Sequence, residues 1–218
     1  NTELEGLLKQ WEMNEYIHAM QYSEIVKTAF EDSNQLMEEV KQTAPAIDRL
    51  SVLGGIFEDT RQMGYKYQQG IDIPAKVLRK QLFRFMAALT TLEAVSFATS
   101  FAATFAVGRS TKAYDGIIKA VQLIARDELE THVKADLEII RILREDEGWE
   151  EEYQEVLPEI HSLFETVLEN EKFWADYLFS EGRQIVGLNE RNIFEYAKYL
   201  TAPVMKVLGL SINFEYPK

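Results

Sequence analysis

The chain has 218 residues, 46% hydrophobic and 27% charged, enough apolar material for one sizeable core in a single domain over 1–218. A net charge of -13 excludes a surface built to neutralise nucleic-acid phosphates, and the lack of cysteine excludes disulfides and thiolate metal sites. A reducing compartment, the cytoplasm, is the simplest expectation, and residues 1–10 contain no long apolar run of the signal-peptide kind.

Helical periodicity runs through nearly the whole chain. Leu7, Leu8, Trp11, Glu15, His18 and Tyr22 recur at helical spacing and predict a first helix over about 3–30. Asp32, Ser33 and Asn34 end it and cap a short helix to about 42. A third helix follows Pro45 and fades near Gly64. Over 64–74, Tyr65, Tyr67, Ile71 and Ile73 alternate around a Gln-Gln-Gly turn, which predicts a small hairpin. A long helix is expected over 75–107, with Gly108 as its terminator, and another over 111–144. The acidic stretch 146–152 reads as a solvated turn. Two further helices are expected over 151–179 and 189–208. Long helices joined by short connections imply an all-α bundle.

Three places carry candidate chemistry. Glu15 and His18 are three apart, so both project from one helical face and reach one metal ion. Trp11 and Tyr22 continue that stripe. Alone, the pair also reads as a surface pair, and Tyr22 as a core tyrosine with a bonded hydroxyl. Glu93 is the sole charged residue in 86–107, where a carboxylate is costly unless paired or metal-bound. That stretch is long enough to span a membrane. Serines and threonines at 90, 91, 96, 99, 100 and 104 argue instead for a buried core helix facing an internal ligand. Glu128 and His132 are four apart and share a face, although Arg126, Asp127 and Glu130 beside them also suit a solvated surface. His161 has no matching context and reads as structural or exposed.

Taken together, a Glu/His pair, a lone buried Glu and a second Glu/His pair match the ferritin-like helical bundle with a di-metal carboxylate site. Oxygen and imidazole donors suit iron or manganese.

These residues resemble the small subunit of class I ribonucleotide reductase. Residues 11–22, WEMNEYIHAMQY, are similar to the segment holding a bridging Glu, a His ligand and the radical tyrosine. Residues 92–101, LEAVSFATSF, resemble the helix with the next Glu ligand and two phenylalanines of the radical pocket. Residues 124–128, IARDE, resemble the segment with a pocket Ile, a radical-transfer Asp and a bridging Glu. Residues 171–179 and 207–210 also look like family segments without ligands.

The resemblance implies Glu15, His18, Glu93, Glu128 and His132 as metal ligands, Tyr22 as the radical site and Asp127 on the transfer path. It implies Phe97, Phe101 and Ile124 as pocket walls. It further implies two irons, or manganese in some subclasses, a homodimer and a large-subunit partner that reduces ribonucleotides.

Three departures stand out. The family has a further Asp ligand and a radical-transfer tryptophan upstream of the first pair, expected here from a separate N-terminal segment of the same subunit. The second Glu/His pair is spaced four rather than three, which an extra residue or a one-residue bulge in the helix reconciles. The family's large-subunit-binding tail is not within 1–218, so the sequence reads as truncated at both ends. The alternatives from the residues are another ferritin-like di-metal oxidase, or a non-catalytic helical fragment.

Overall fold

The computed structural model describes residues 2–111 and 114–217, and these form a helical bundle. α1 (Thr2–Ala29), α2 (Ser33–Gln42) and α3 (Ala44–Gln68) precede a continuous rod made of α4 (Ala75–Thr91), π1 (Leu92–Phe97) and α5 (Ala98–Thr111). A second rod follows: α6 (Asp115–Asp127), π2 (Glu128–His132), α7 (Val133–Arg141) and π3 (Ile142–Asp146). α8 (Glu150–Leu178) and α9 (Glu190–Val207) complete the bundle.

Local chemistry sets several of these boundaries. Asp32 caps α2 by accepting from the backbone N–H groups of Asn34 and Gln35 at 2.9 and 3.0 Å. Pro45 occupies the first turn of α3. Asn189 caps α9 by accepting from the Asn192 N–H at 2.8 Å.

α8 is the central helix and packs against α3, α4 and α9. Its buried side chains include Tyr153, Val156, Ile160, Phe164 and Val167, which meet Phe83, Ala87 and Leu53 in the main core. A smaller cluster holds Phe101, Val121, Ile124 and Ala125, flanked by Ile25, Phe97, Phe105 and Ile117. Ala75–Thr111 is long and apolar enough to cross a membrane, but 67% of its most apolar window is buried against the rest of the bundle.

Three expectations need correction. The hairpin over 64–74 is absent: Tyr65 and Tyr67 lie in the last turns of α3, exposed to solvent. Gly70, at φ 77°, ends that helix, with the Ile71 N–H bonding the Lys66 carbonyl and the Gly70 N–H bonding the Tyr67 carbonyl. Gly64 simply stays helical, so the alternation of apolar residues around it was accidental. Gly108 does not terminate its helix either; it is buried within α5, which continues to Thr111. The next helix accordingly begins at Asp115, after Tyr114 at φ 69°, not at residue 111. Lys112 and Ala113, placed in that predicted helix, lie outside the described residues, as do Asn1 and Lys218.

Candidate metal centre

α1 presents Trp11, Glu15, His18 and Tyr22 along one stripe, because steps of four, three and four residues return to the same side of a 3.6-residue helix. Only Trp11 and His18 are buried on α1. This helix therefore docks on the bundle through its chemistry-bearing stripe, with Leu4 and Leu7 adding apolar contact at its start.

Glu93 comes from π1, and Glu128 and His132 come from π2; the two widened turns touch each other. A π turn holds one residue more than an α turn. In π2 the extra residue is taken up between Glu128 and His132, and the two side chains still meet. His132 Nδ1 lies 2.8 Å from Glu128 Oε2. The bulge that the Glu128/His132 spacing called for is thus present.

The donors meet at one point under α1, where Glu93, Glu128 and both histidines are buried and Glu15 is half exposed. Ligand atoms of Glu15, Glu93, Glu128 and His132 all lie within 4.8 Å of one another. His18 Nδ1 joins them, 3.2 Å from Glu128 Oε1. Both imidazoles turn Nδ1 inward. Glu128 spans the two, with Oε1 toward His18 and Oε2 toward His132. Glu15 spans them as well, with Oε2 3.8 Å from His18 Nδ1 and Oε1 3.2 Å from His132 Nδ1. Glu93 serves the His132 side, at 3.7 Å.

Two overlapping donor sets result, one around each histidine and sharing two carboxylates. The outer nitrogens are held too: His18 Nε2 lies 3.3 Å from Asp127 Oδ2 and His132 Nε2 lies 3.5 Å from Asn14 Nδ2, while the His132 ring stacks on Trp11 at 4.6 Å.

This donor set fits a pair of divalent cations. His18 Nδ1 and Glu93 Oε2 are buried without a hydrogen bond, a costly state that a cation relieves. Carboxylate oxygens with imidazole nitrogens are the donors iron and manganese accept.

Without metal, protons take the cations' place. Burial, and then the neighbouring Asp136, push the Glu93 carboxyl far above its usual range. Burial pushes Asp136 up to about 7. Burial opposes charge on His132, but its bonds to Glu128 and Glu15 outweigh that and raise it to about 9. Each of these groups binds its proton more tightly folded than unfolded. Their stabilisation is therefore full at low pH and is lost as pH rises through the folded values. The metal-free protein should lose stability between about pH 4 and 9, with the His132 part, roughly 1–3 kcal/mol, lost above pH 6.5. Thermal melts in chelator at pH 5, 7 and 9 check this; a melting temperature that climbs with pH contradicts it.

Tyr22 lies one turn beyond His18 and is 42% exposed. Burial of part of its ring, with the charges of Glu128 and Glu15, pushes the phenol up to about 12. Phe97 and Phe101 sit with ring centroids 6.2 Å apart in the small cluster with buried Ile124. Ile25, one turn after Tyr22, packs on that cluster. His161 stands apart, with Nε2 2.9 Å from the Ser211 carbonyl.

Two features escaped the sequence reading. Asp136 is fully buried beside Glu93; its only signal was the four-residue recurrence of 128, 132 and 136. Arg49 on α3 grips Glu171 on α8 through Nε to Oε1 at 2.7 Å and Nη2 to Oε2 at 2.8 Å. The same guanidinium donates to Thr99 and Ser100 at 2.7 and 2.8 Å and to the Ser96 carbonyl in π1. With the partners 122 positions apart in sequence, no local pattern announces that pair.

Comparison with known proteins agrees with this geometry. The family model for the small chain of ribonucleotide reductase matches residues 1–217. The beta subunit of ribonucleoside-diphosphate reductase from Haemophilus influenzae is 29% identical over 227 residues, covering 98% of this chain and 60% of the relative. The corresponding subunit from Enterobacteria phage T4 is 29% identical over 229 residues, covering 95% of this chain and 58% of the relative. The chain thus spans 60% or less of the length of these relatives. A solved structure, a putative class I ribonucleotide reductase from Bacillus halodurans, superposes with a TM-score of 0.75 at 19% identity, over 97% of this chain and 70% of that one. That likeness places the bundle in the ferritin-like all-α fold. On the strength of the match along residues 1–217, the chain belongs to the ribonucleotide reductase small-chain family.

Proposed function

We propose that the chain is the di-metal core of the small subunit of a ribonucleoside-diphosphate reductase, in which Tyr22 is the radical site. The observation that carries this is the double span of Glu15 and Glu128 between the Nδ1 atoms of His18 and His132. Shared carboxylates between two imidazoles are the donor arrangement of a metal pair rather than of a single ion. Glu15, His18, Glu93, Glu128 and His132 would hold two iron ions, with manganese the alternative that the same donors accept. Such a pair, once oxidised by oxygen, would supply the oxidising equivalent that takes one electron from Tyr22 as its phenol gives up a proton.

The protein's own groups prepare that step. The raised phenol of Tyr22 keeps its proton on Oη at neutral pH, so the ring waits in its reduced, neutral form. The carboxylates of Glu15 and Glu128 bear on Tyr22 electrostatically and favour the loss of an electron from it. Phe97, Phe101 and Ile124 form an apolar wall on which Ile25, one turn after Tyr22, packs; the 42% of Tyr22 left exposed would have to be covered in the assembled subunit, because a phenoxyl persists only where water and reductants are held off. Asp127 fixes His18 through Nε2 and offers a hydrogen-bonded route from the metal side toward the surface, where its carboxyl is partly exposed. At that surface we place the large subunit, which would use the oxidising equivalent to reduce ribonucleotides. A homodimer of the small subunit completes the proposal.

The test is electron paramagnetic resonance of the full-length subunit carrying these residues, loaded with iron(II) and oxygen, beside its Tyr22→Phe variant. A tyrosyl signal is expected in the parent and not in the variant. An unchanged signal in the variant moves the radical elsewhere, and no signal in a metal-loaded parent favours a di-metal oxidase without radical storage.

A further inference from the structure

Asp136 has a position that the five ligands named above do not explain. It lies four residues after His132 and eight after Glu128, on the same inward face of the second rod, with no exposed surface. Its carboxyl faces Glu93 across the bundle. Neither oxygen of Asp136 makes a hydrogen bond of ordinary geometry, and Glu93 Oε2 lacks one as well; the Glu93 carboxyl and the nearby Thr90 hydroxyl are the polar neighbours within reach of Asp136. Among the described residues no lysine or arginine pairs with either carboxylate; the one buried arginine, Arg49, is taken up by Glu171. Two buried carboxylates facing each other without a basic partner are costly unless a proton or a cation neutralises them.

Charge balance points the same way. Glu15, Glu93 and Glu128 carry three carboxylates of this chain into the cluster, against the four positive charges of two divalent cations. Asp136 is the fourth.

From this geometry we infer that Asp136 is itself a metal ligand, completing the position served by Glu93, Glu128 and His132. This rests on the metal-centre reading of the cluster. The two positions then differ within this chain. The His132 side has a carboxylate of its own from Glu93 and another from Asp136, whereas the His18 side has only the shared Glu15 and Glu128. The His132 side should bind the first ion, and more tightly.

Manganese(II) titration of the chain tests this, with bound metal counted by calorimetry and by the free-ion paramagnetic signal. The parent should show a tighter and a weaker event. Asp136→Asn should weaken the tighter event at least about tenfold, the scale on which even outer-sphere partners of a metal site act. The same variant should leave the melting temperature of the metal-free protein unchanged or raised, because an amide of the same shape can donate to Glu93 and has no charge to bury. A structural role would lower stability and binding together, and that result overturns the inference.

Two manganese events of unaltered affinity in Asp136→Asn also overturn it, since asparagine keeps any hydrogen bond that a protonated Asp136 would give Glu93. If the asparagine variant does not fold, by circular dichroism, Asp136→Ser goes through the same titration under the same criteria. A parent that binds no manganese(II) removes the metal-centre reading itself, and the inference falls with it.

Discussion

Replacing Arg49 by alanine should cost about 3–5 kcal/mol of stability. In a chain of this length that lowers the melting temperature by roughly 6–20 °C. The loss arises from what stays behind. Glu171 is fully buried, and its two oxygens accept from Arg49 at 2.7 and 2.8 Å and from the Thr99 hydroxyl at 2.5 Å. Without the guanidinium, one weak hydroxyl donor faces a buried carboxylate.

The Ser96 carbonyl also loses its charged donor. It belongs to π1, the widened turn that carries Glu93, so the site should loosen along with the bundle. Replacing both partners, Arg49→Met with Glu171→Leu, removes the stranded charge and should recover at least half of the loss. Chemical denaturation of the single and double variants measures both effects. A single variant within about 0.5 kcal/mol of the parent, the scatter expected for a neutral surface change, refutes the assignment.

Glu128→Gln should abolish tight binding at both metal positions, an effect of more than about 100-fold, because the site loses a ligand where outer-sphere losses alone reach that size. Glu128 is the side chain that meets both imidazoles at short range, at 3.2 and 2.8 Å. An amide of the same shape presents one neutral oxygen and a nitrogen that cannot coordinate, so it cannot serve two cations. His161→Ala, at the Ser211 carbonyl and outside the cluster, is the control and should keep the parent stoichiometry. Metal analysis after dialysis decides: a glutamine variant that retains two equivalents sinks the bridging role.

Much of this is legible in the sequence. The stripe on α1 followed from helical spacing, and Glu93 stood out as a lone charge in an apolar helix. The long rods were visible because apolar periodicity over 30 or so residues has few other readings. What failed was local and short. Around Gly64 a two-residue alternation imitated a strand, although the true stop was Gly70, whose left-handed backbone the sequence marks only as another glycine.

Asp136 sits in a segment, KADLEII, that reads as an ordinary amphipathic surface turn. Its burial depends on Glu93 approaching from another rod. The Arg49–Glu171 pair likewise exists only after α3 and α8 pack. Charged residues in the core become visible through tertiary contact, whereas apolar periodicity is written in one helix at a time.

The widened turn at Glu128–His132 also bears on how such chains can diverge in length. In a plain α-helix an inserted residue rotates everything beyond it by about 100°. An insertion of that kind before α7 would swing Asp136, Ile139 and Ile140 out of the core they now occupy. Confined within one π turn, the surplus residue leaves the downstream helix in phase. Ligand spacing can therefore change by one between related chains while the bundle stays as it is. A search pattern that fixes the second Glu/His pair at three residues would pass over this chain, although its histidine reaches the donor cluster.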